Sequence, residues 1–430
     1  MKIVVQKFGG SSLTTAEMRQ KAASHVKKAW DNGLFPVVVV SAIGRMGNPY
    51  STDTLIKQVE EVSNQYSLRN MDMMMSCGEI ISAVIMAETL NSIGLKAEAL
   101  TGWQSGIVTD DRYGNARIVS VDHTRIKQSI DLRIVPVVAG FQGVTENNEV
   151  TTLGRGGSDT TASVLAYALD ADCIEIFTDV DGVKTADPRL VPDAQTLKCL
   201  TYQEVVELAH LGAKVIHPRA VEIAMEKGIP LRILSTETGK GTLVIGQQEK
   251  CDQSDIQDRV ATGIAHMSRR TQVRIYGSFD FAKTDLAIKI FDVLAQYEVS
   301  LDLIHLSQDL IAFTVESEKA DLVKKVLAPY ELNIEIKSGF AKVSIVGAGM
   351  HGVPGVMARI VRCLGKEKIS VFQTTDSHAN ISCLIQEEEL PRTVHILHEE
   401  FSLSKKGVSG YAGGSSYDSY GNTDEERQKC

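Results

Sequence analysis

No Cys-x-x-Cys pair occurs among the seven cysteines (Cys77, Cys173, Cys199, Cys251, Cys363, Cys383 and Cys430), and none stands at metal-ligand spacing from a histidine. An odd number at irregular intervals reads as reduced thiols rather than a disulfide framework or a zinc site. Blocks of like charge are missing too. Lys and Arg total 45 against 54 Asp and Glu, a net charge of −9, so neither nucleic acid nor an anionic membrane is an expected partner. No run of ~18 apolar residues is found, and no long apolar leader precedes the first strand pattern. A membrane span is therefore not expected, and a cytoplasmic location is. The P-loop spacing Gly-x-x-x-x-Gly-Lys-Ser/Thr is absent, as is any evident Ser-His-Asp or Cys-His arrangement.

What is present is ordinary in bulk and organised in detail. The 430 residues are 43% hydrophobic and 23% charged, as in a soluble globular protein of several domains. Strand patterns at 3–5, 36–41, 96–100, 134–139, 173–178, 231–234 and 241–245 alternate with helical patterns such as 16–31, 80–94 and 160–168. That alternation predicts an α/β domain over 1–246, three-layered around a mainly parallel sheet. The polar segment 247–260 reads as a linker. Two βαββα patterns follow, at 261–335 and 336–405, an internal repeat too small for either copy to bury much alone. The Gly/Ser/Tyr-rich stretch 406–430 reads as a disordered tail.

Three glycine-rich clusters fall at carboxyl ends of predicted strands, where open α/β sheets bind ligands. They are Lys7-Phe8-Gly9-Gly10-Ser11-Ser12, Gly154-Arg155-Gly156-Gly157-Ser158-Asp159 and Thr178-Asp179-Val180-Asp181-Gly182. Paired glycines let backbone N–H groups approach an anion, a helix start adds its dipole, and Lys7 and Arg155 add charge. Together they point to phosphoryl transfer.

With Ser76-Cys77-Gly78-Glu79, Thr185-Ala186-Asp187-Pro188-Arg189 and Gly212-Ala213-Lys214-Val215, these clusters resemble the signatures of the aspartokinases, in order and at fitting separations, over residues 1 to about 405. The likeness is strongest to the diaminopimelate-sensitive enzymes of Bacillus-type bacteria. It implies an amino-acid-kinase-like domain followed by two tandem ACT domains of βαββαβ, ferredoxin-like form. It also implies transfer of the γ-phosphoryl group of ATP, with Mg²⁺, to the side-chain carboxylate of L-aspartate. That phosphotransferase step opens the route to diaminopimelate, lysine, threonine and methionine.

The resemblance assigns Lys7, Asp159 and Lys214 to catalysis, and Ser41, Thr52, Glu79, Arg155 and Ser158 to aspartate. Lys7, Phe8, Gly9, Gly10, Thr178, Asp179, Lys184, Arg189, Lys214 and Val215 fall to ATP. Relatives often carry an aromatic residue where Lys184 stands. A plainer reading takes Glu79 as a helix-dipole carboxylate, at the start of a helix after Gly78. Ser300 and Asp302, in the first repeat, are placed at an effector site, with diaminopimelate the expected effector. A homodimer or higher homo-oligomer through the ACT domains is expected, and no methionine lies between Met225 and Met267 to start a separate regulatory subunit.

One rival comes from another enzyme class. Gly347-Ala348-Gly349-Met350-His351-Gly352, with Asp376 beyond it, matches a dinucleotide fingerprint, but fewer than 90 residues remain, too few for that fold. A glutamate-kinase-like enzyme is a second rival, and an inactive amino-acid-sensing protein a third. Glu79 and Arg155 argue against the glutamate kinase, and the intact Lys7, Arg155, Asp159 and Lys214 against the inactive sensor.

Overall fold

The computed structural model describes residues 1–63, 65–213, 215–246, 260–279, 285–347, 350 and 353–404. Lys214, nearly all of the linker and the tail, and most of the 347–352 fingerprint lie outside them.

The chain opens with β1 (Lys2–Phe8), α1 (Ala16–Asp31), β2 (Leu34–Val40), α2 (Thr52–Val62), α3 (Leu68–Ser92) and β3 (Ala97–Leu100). Next come β4 (Ile107–Thr109), β5 (Ile118–Val121), α4 (Thr124–Asp131), β6 (Val135–Ala139), β7 (Gln142–Val144) and β8 (Val150–Thr152). The run ends with α5 (Gly157–Leu169), β9 (Cys173–Thr178), β10 (Cys199–Thr201), α6 (Tyr202–His210), α7 (Pro218–Lys227), β11 (Leu231–Ser235) and β12 (Gly241–Ile245).

Eight strands form one sheet in the order β10-β12-β11-β9-β1-β2-β6-β3, parallel except for the β11–β12 pair. β2 explains the layering. Its Val37-Val38-Val39-Val40 run is β-branched and fully buried, and alternate side chains point to opposite faces. Val37 and Val39 belong to the core that α5 covers on one face, whereas Val38 and Val40 belong to the core under α1 and α3 on the other. Both faces being covered, the strand reads as a continuous apolar run. A smaller sheet, β5-β4-β7-β8, caps the carboxyl side.

α3 corrects one expectation. It begins at Leu68 rather than near residue 80, so Glu79 lies in mid-helix and is buried, not at a helix start. The helix-dipole reading of Glu79 therefore fails. By length and composition α3 could cross a membrane. Here it packs between α1, α2 and the sheet and turns Asp72 and Glu79 inward.

The second half contains β13 (Gly263–Tyr276), α8 (Leu286–Gln296), β14 (Asp302–Leu306), β15 (Leu310–Glu316), α9 (Ala320–Leu327), β16 (Asn333–Val346), α10 (Val356–Lys366), β17 (Gln373–Asp376), β18 (Asn380–Gln386) and α11 (Leu390–Glu400). Its six strands form one sheet, β14-β15-β13-β16-β18-β17. The repeats interleave rather than following each other cleanly at residue 335. Gly263–Met267 pair with the Val346–Lys342 half of β16, inside the second unit, while Arg270–Tyr276 pair with β15 in the first. A bulge between Met267 and Gln272, with Arg269 at φ +53°, lets one strand serve both. The polar run His266, Ser268, Arg269, Arg270 breaks the apolar alternation there, so the pattern marks the strand only from Thr271.

The second unit docks on the first domain. Ala186, Val191 and Ala194 join its core beside Val343, Val394 and Leu397. Buried His398 on α11 meets Thr185 Oγ1 at 2.9 Å. Among described cysteines, Cys77, Cys173, Cys363 and Cys383 are free but Cys199 is disulfide-bonded, against the expectation of reduced thiols throughout.

Candidate active site

The parallel strands β1, β2 and β9 end side by side, and the loops that leave them carry the polar groups. Lys7, the penultimate residue of β1, pairs with Asp159 in the first turn of α5, Nζ to Oδ1 at 2.7 Å. Both side chains are largely buried, at 11% and 12% exposure, so the pair is weakly screened. The backbone N–H of His217 donates to the other oxygen of Asp159 at 3.3 Å, tying α7 to the same carboxylate.

The loop after β1 lies tightly against the loop after β2. Gly44 N–H donates to Gly10 O at 3.0 Å, and Ser41 N–H to Phe8 O at 3.1 Å. A Cβ on Gly10 would sit 2.4 Å from Ala42 O and 2.7 Å from Gly44 O, both backbone atoms that cannot swing away. Gly10→Ala is therefore expected to destabilise the domain by roughly 1–3 kcal/mol and to remove turnover. Urea unfolding and an activity assay check it together, and wild-type values in both would show that the loops do not need this contact.

Glu79 reaches the same corner from α3. Its Oε1 accepts from Ala42 N–H at 3.0 Å, while Oε2 is buried without a hydrogen-bond partner. Burial pushes its carboxyl up to about 8, against the opposing pull of the Ala42 N–H. A buried carboxyl with one oxygen unpartnered and a raised pKa marks a candidate functional group.

Arg155 stands in the loop between β8 and α5, exposed, with no ion pair or side-chain hydrogen bond among the described residues. Gly156, which caps α5, has φ +68°, and a Cβ there would collide with His217 at 2.2 Å. Ser158 is buried against Gly140, and the residue after that glycine, Phe141, has φ +69°. A left-handed aromatic residue at such a point is backbone strain held by its surroundings.

On the other side, Phe177 at the end of β9 stacks on Phe8, ring centroids 4.7 Å apart, and its carbonyl accepts from Gly9 N–H at 3.2 Å. Thr178 and exposed Asp179 follow, and Asp179 pairs with Arg45 at 2.6 Å across the cleft. Lys7, Phe8, Gly9, Gly10, Ser41, Glu79, Ser158, Asp159, Thr178 and Asp179 thus share one strand-end cleft.

Other candidates are placed less directly. Thr52 is the half-buried first residue of α2, behind the capping residue Ser51. Lys184 donates to Thr196 Oγ1 at 3.0 Å, and the exposed Arg189 fork is spent on Asp187, 2.6 Å from Nη2 to Oδ2. Val215 N–H bonds Ala213 O at 2.9 Å beside the undescribed position 214. Ser300 is exposed, and both Asp302 oxygens are already held by Lys342 Nζ at 2.8 Å. Asp302 is thus half of an ion pair rather than a free receptor.

Known proteins share both the sequence and the fold around this cleft. The model of the amino acid kinase family matches residues 2–235, and that of the ACT domain matches 335–399. Aspartokinase 1 of Bacillus subtilis is 43% identical over 94% of this chain and 100% of its own length. The chain belongs to the aspartokinases. The aspartokinase of Geobacillus stearothermophilus is 41% identical over 95% of this chain and 99% of its own. The crystal structure of E. coli aspartokinase III in complex with aspartate and ADP superposes with a TM-score of 0.76 at 25% identity, over 93% of this chain and 99% of that one. This aspartokinase is accordingly an ATP-using aspartate kinase with an ACT regulatory region.

Several supporting groups of the aspartokinase site escape a motif search. Asp72, fully buried on α3, accepts from Gly114 N–H at 2.9 Å and from Thr152 N–H and Oγ1 at 2.8 Å, anchoring the strand that leads to Arg155. Burial raises its carboxyl above the ordinary value despite those bonds. Its signal was an acid inside the apolar run Met71–Met75. Arg45 and His217 had no such signal, because their partners are distant in sequence.

Proposed function

We propose that this aspartokinase phosphorylates L-aspartate by neutralising charge rather than by acid–base catalysis. The attacking side-chain carboxylate, with a free pKa of about 3.9, is already ionised at neutral pH, so no strong base is needed. The barrier lies in bringing that anion against the γ-phosphate of ATP, and positioning with fixed positive groups lowers it. Lys7 lies against the transferring phosphate, Asp159 orients Lys7, and Lys214 is the second phosphate lysine. Phe8, Gly9 and Gly10 supply backbone along the phosphates. Thr178, Asp179, Lys184, Arg189 and Val215 line the nucleotide side.

L-Aspartate lies between Arg155, which clamps the α-carboxylate, and Glu79, whose open Oε2 takes the ammonium group. Ser41, Thr52 and Ser158 complete that pocket. The observation that supports this division best is the buried Glu79 carboxylate, with one oxygen unsatisfied, one loop away from the Lys7–Asp159 pair.

Among the described residues no group of three or more His, Cys, Asp or Glu could cage a metal. That fits Mg²⁺, which keeps its waters and rests on substrate phosphates with one or two carboxylates. Asp159 would help organise the metal-bound nucleotide, and the ion would offset phosphate charge. The effector is an amino acid of the lysine branch, diaminopimelate by resemblance, held by the ACT units. Its ammonium group would compete with Lys342 for Asp302. A homodimer through the ACT units and a cytoplasmic location complete the reading.

Arg155→Ala tests the division. The loss of a charge-assisted clamp is expected to raise the aspartate KM by roughly 10–100-fold while the ATP KM stays within about twofold. Equal shifts in both constants, or none, would remove Arg155 from the aspartate side.

A further inference from the structure

The turn between β11 and β12 carries none of the residues assigned to a substrate, yet its Thr236 touches two loops that are. Thr236 and Ser12 are each only 1% exposed, and their hydroxyl oxygens lie 2.6 Å apart. Thr236 Oγ1 also donates to Thr178 O at 3.2 Å, and its backbone N–H donates to the same carbonyl at 2.9 Å. A hydroxyl has one proton, so whenever Thr236 donates to the Thr178 carbonyl the proton between the two hydroxyls is that of Ser12. Thr236 is thus the middle member of a chain that runs from the Ser12 hydroxyl to the Thr178 carbonyl.

The far side of Thr236 is fixed as well. Its carbonyl meets His25 Nε2 at 2.9 Å, and the His25 ring lies on Phe177 with centroids 4.6 Å apart. Two residues on, Thr238 Oγ1 donates to Asp181 Oδ1 at 3.1 Å. One turn thus binds the loop after β1, which begins at Gly9, to Thr178 at the end of β9 and to Asp181 in the loop that follows.

We infer that Thr236 is a positioning residue for the nucleotide, a clasp that sets the gap between the phosphate-side loop and the Thr178–Asp181 loop. The inference rests on the proposal that these two loops hold ATP. Removing the hydroxyl would leave Ser12 buried with a proton and no acceptor, and the least costly relief is for the loops to part. Glu79 and Arg155 come from α3 and the β8–α5 loop, outside the clasp, so aspartate binding should be little affected.

Thr236→Val keeps the shape and removes the link, whereas Thr236→Ser keeps the link. The Val variant is expected to lower kcat/KM for ATP by about tenfold, the worth of one lost bond with an orphaned partner, with the aspartate KM within about twofold of wild type. The Ser variant should recover most of the loss. Ser12→Ala combined with Thr236→Val should be no worse than Thr236→Val alone, because the two hydroxyls form one link. The clasp is overturned if the Val variant has unchanged constants, if both KM values move together, if Ser fails to rescue, or if the two changes add. Wild-type turnover is read alongside. If the wild type does not phosphorylate aspartate, the proposed function fails, and the clasp is then judged by calorimetric ADP affinity across the same variants, with the same tenfold loss and Ser rescue expected.

Discussion

Lys7→Met is expected to give a folded protein whose kcat is lower by a factor on the order of 10³, the usual cost of removing a preorganised group that meets developing charge. The change also breaks a poorly exposed ion pair, which leaves Asp159 with little beyond the His217 N–H. Orphaning one partner of such a pair typically costs about 3–5 kcal/mol, more than the pair itself is worth. Stability should therefore fall with activity, and a second change separates the two effects. Lys7→Met with Asp159→Asn removes the stranded charge, so its urea midpoint should recover towards wild type while kcat stays low. An active single variant would exclude Lys7 from phosphate neutralisation. A double variant that regained activity would show that the first loss was only one of folding.

Glu79→Gln should trade substrate recognition for stability. The folded protein keeps the Glu79 proton up to about 8, whereas an unfolded chain has lost it above about 4.5. Between those values the folded state binds more protons, so stability falls as pH rises and levels off beyond 8. The amide of the variant cannot ionise, so it should gain on the order of a few kcal/mol relative to wild type between pH 6 and pH 8.5. Activity should move the other way. Recognition of an ammonium group needs the carboxylate, so kcat/KM for aspartate should rise with pH and flatten near 8 in the wild type. In the variant it should be pH-independent in that range and, above pH 8, at least about tenfold lower. Urea unfolding at the two pH values and a pH profile of kcat/KM check both halves. Parallel stability profiles would mean that Glu79 is already ionised in the folded protein.

The difference between Glu79 and Lys7 shows where sequence patterns carry information. Lys7-Phe8-Gly9-Gly10 is local: a strand, a charge and two glycines, whose meaning follows from short-range geometry. The β2 valines are legible for the same reason, since a β-branched apolar run with helices before and after it has few other solutions. Glu79 is legible as a residue of interest but not as to its environment. Its helix starts at Leu68 and runs straight through Gly78, a residue that reads as a boundary, while its carboxylate meets Ala42 in the loop after β2, far away in sequence. The interleaved ACT units fail for a related reason. Strand pairing between Gly263–Met267 and Lys342–Val346 spans more than 70 residues, and a repeat read along the chain assigns each strand to its nearest neighbours. Thr236 is the extreme case, an unremarkable threonine whose partners Ser12 and Thr178 lie 224 and 58 residues away.

The central claim is that this cleft joins ATP to the side-chain carboxylate of L-aspartate. The most direct test is to trap the acyl phosphate as its hydroxamate, with ATP and Mg²⁺, from L-aspartate and from L-glutamate, for the wild type beside Lys7→Met. Aspartate-dependent hydroxamate from the wild type, little from glutamate, and almost none from the variant is the predicted result. A folded wild type that binds ATP but forms no aspartyl hydroxamate, or a Lys7→Met variant that forms it equally well, would contradict the account.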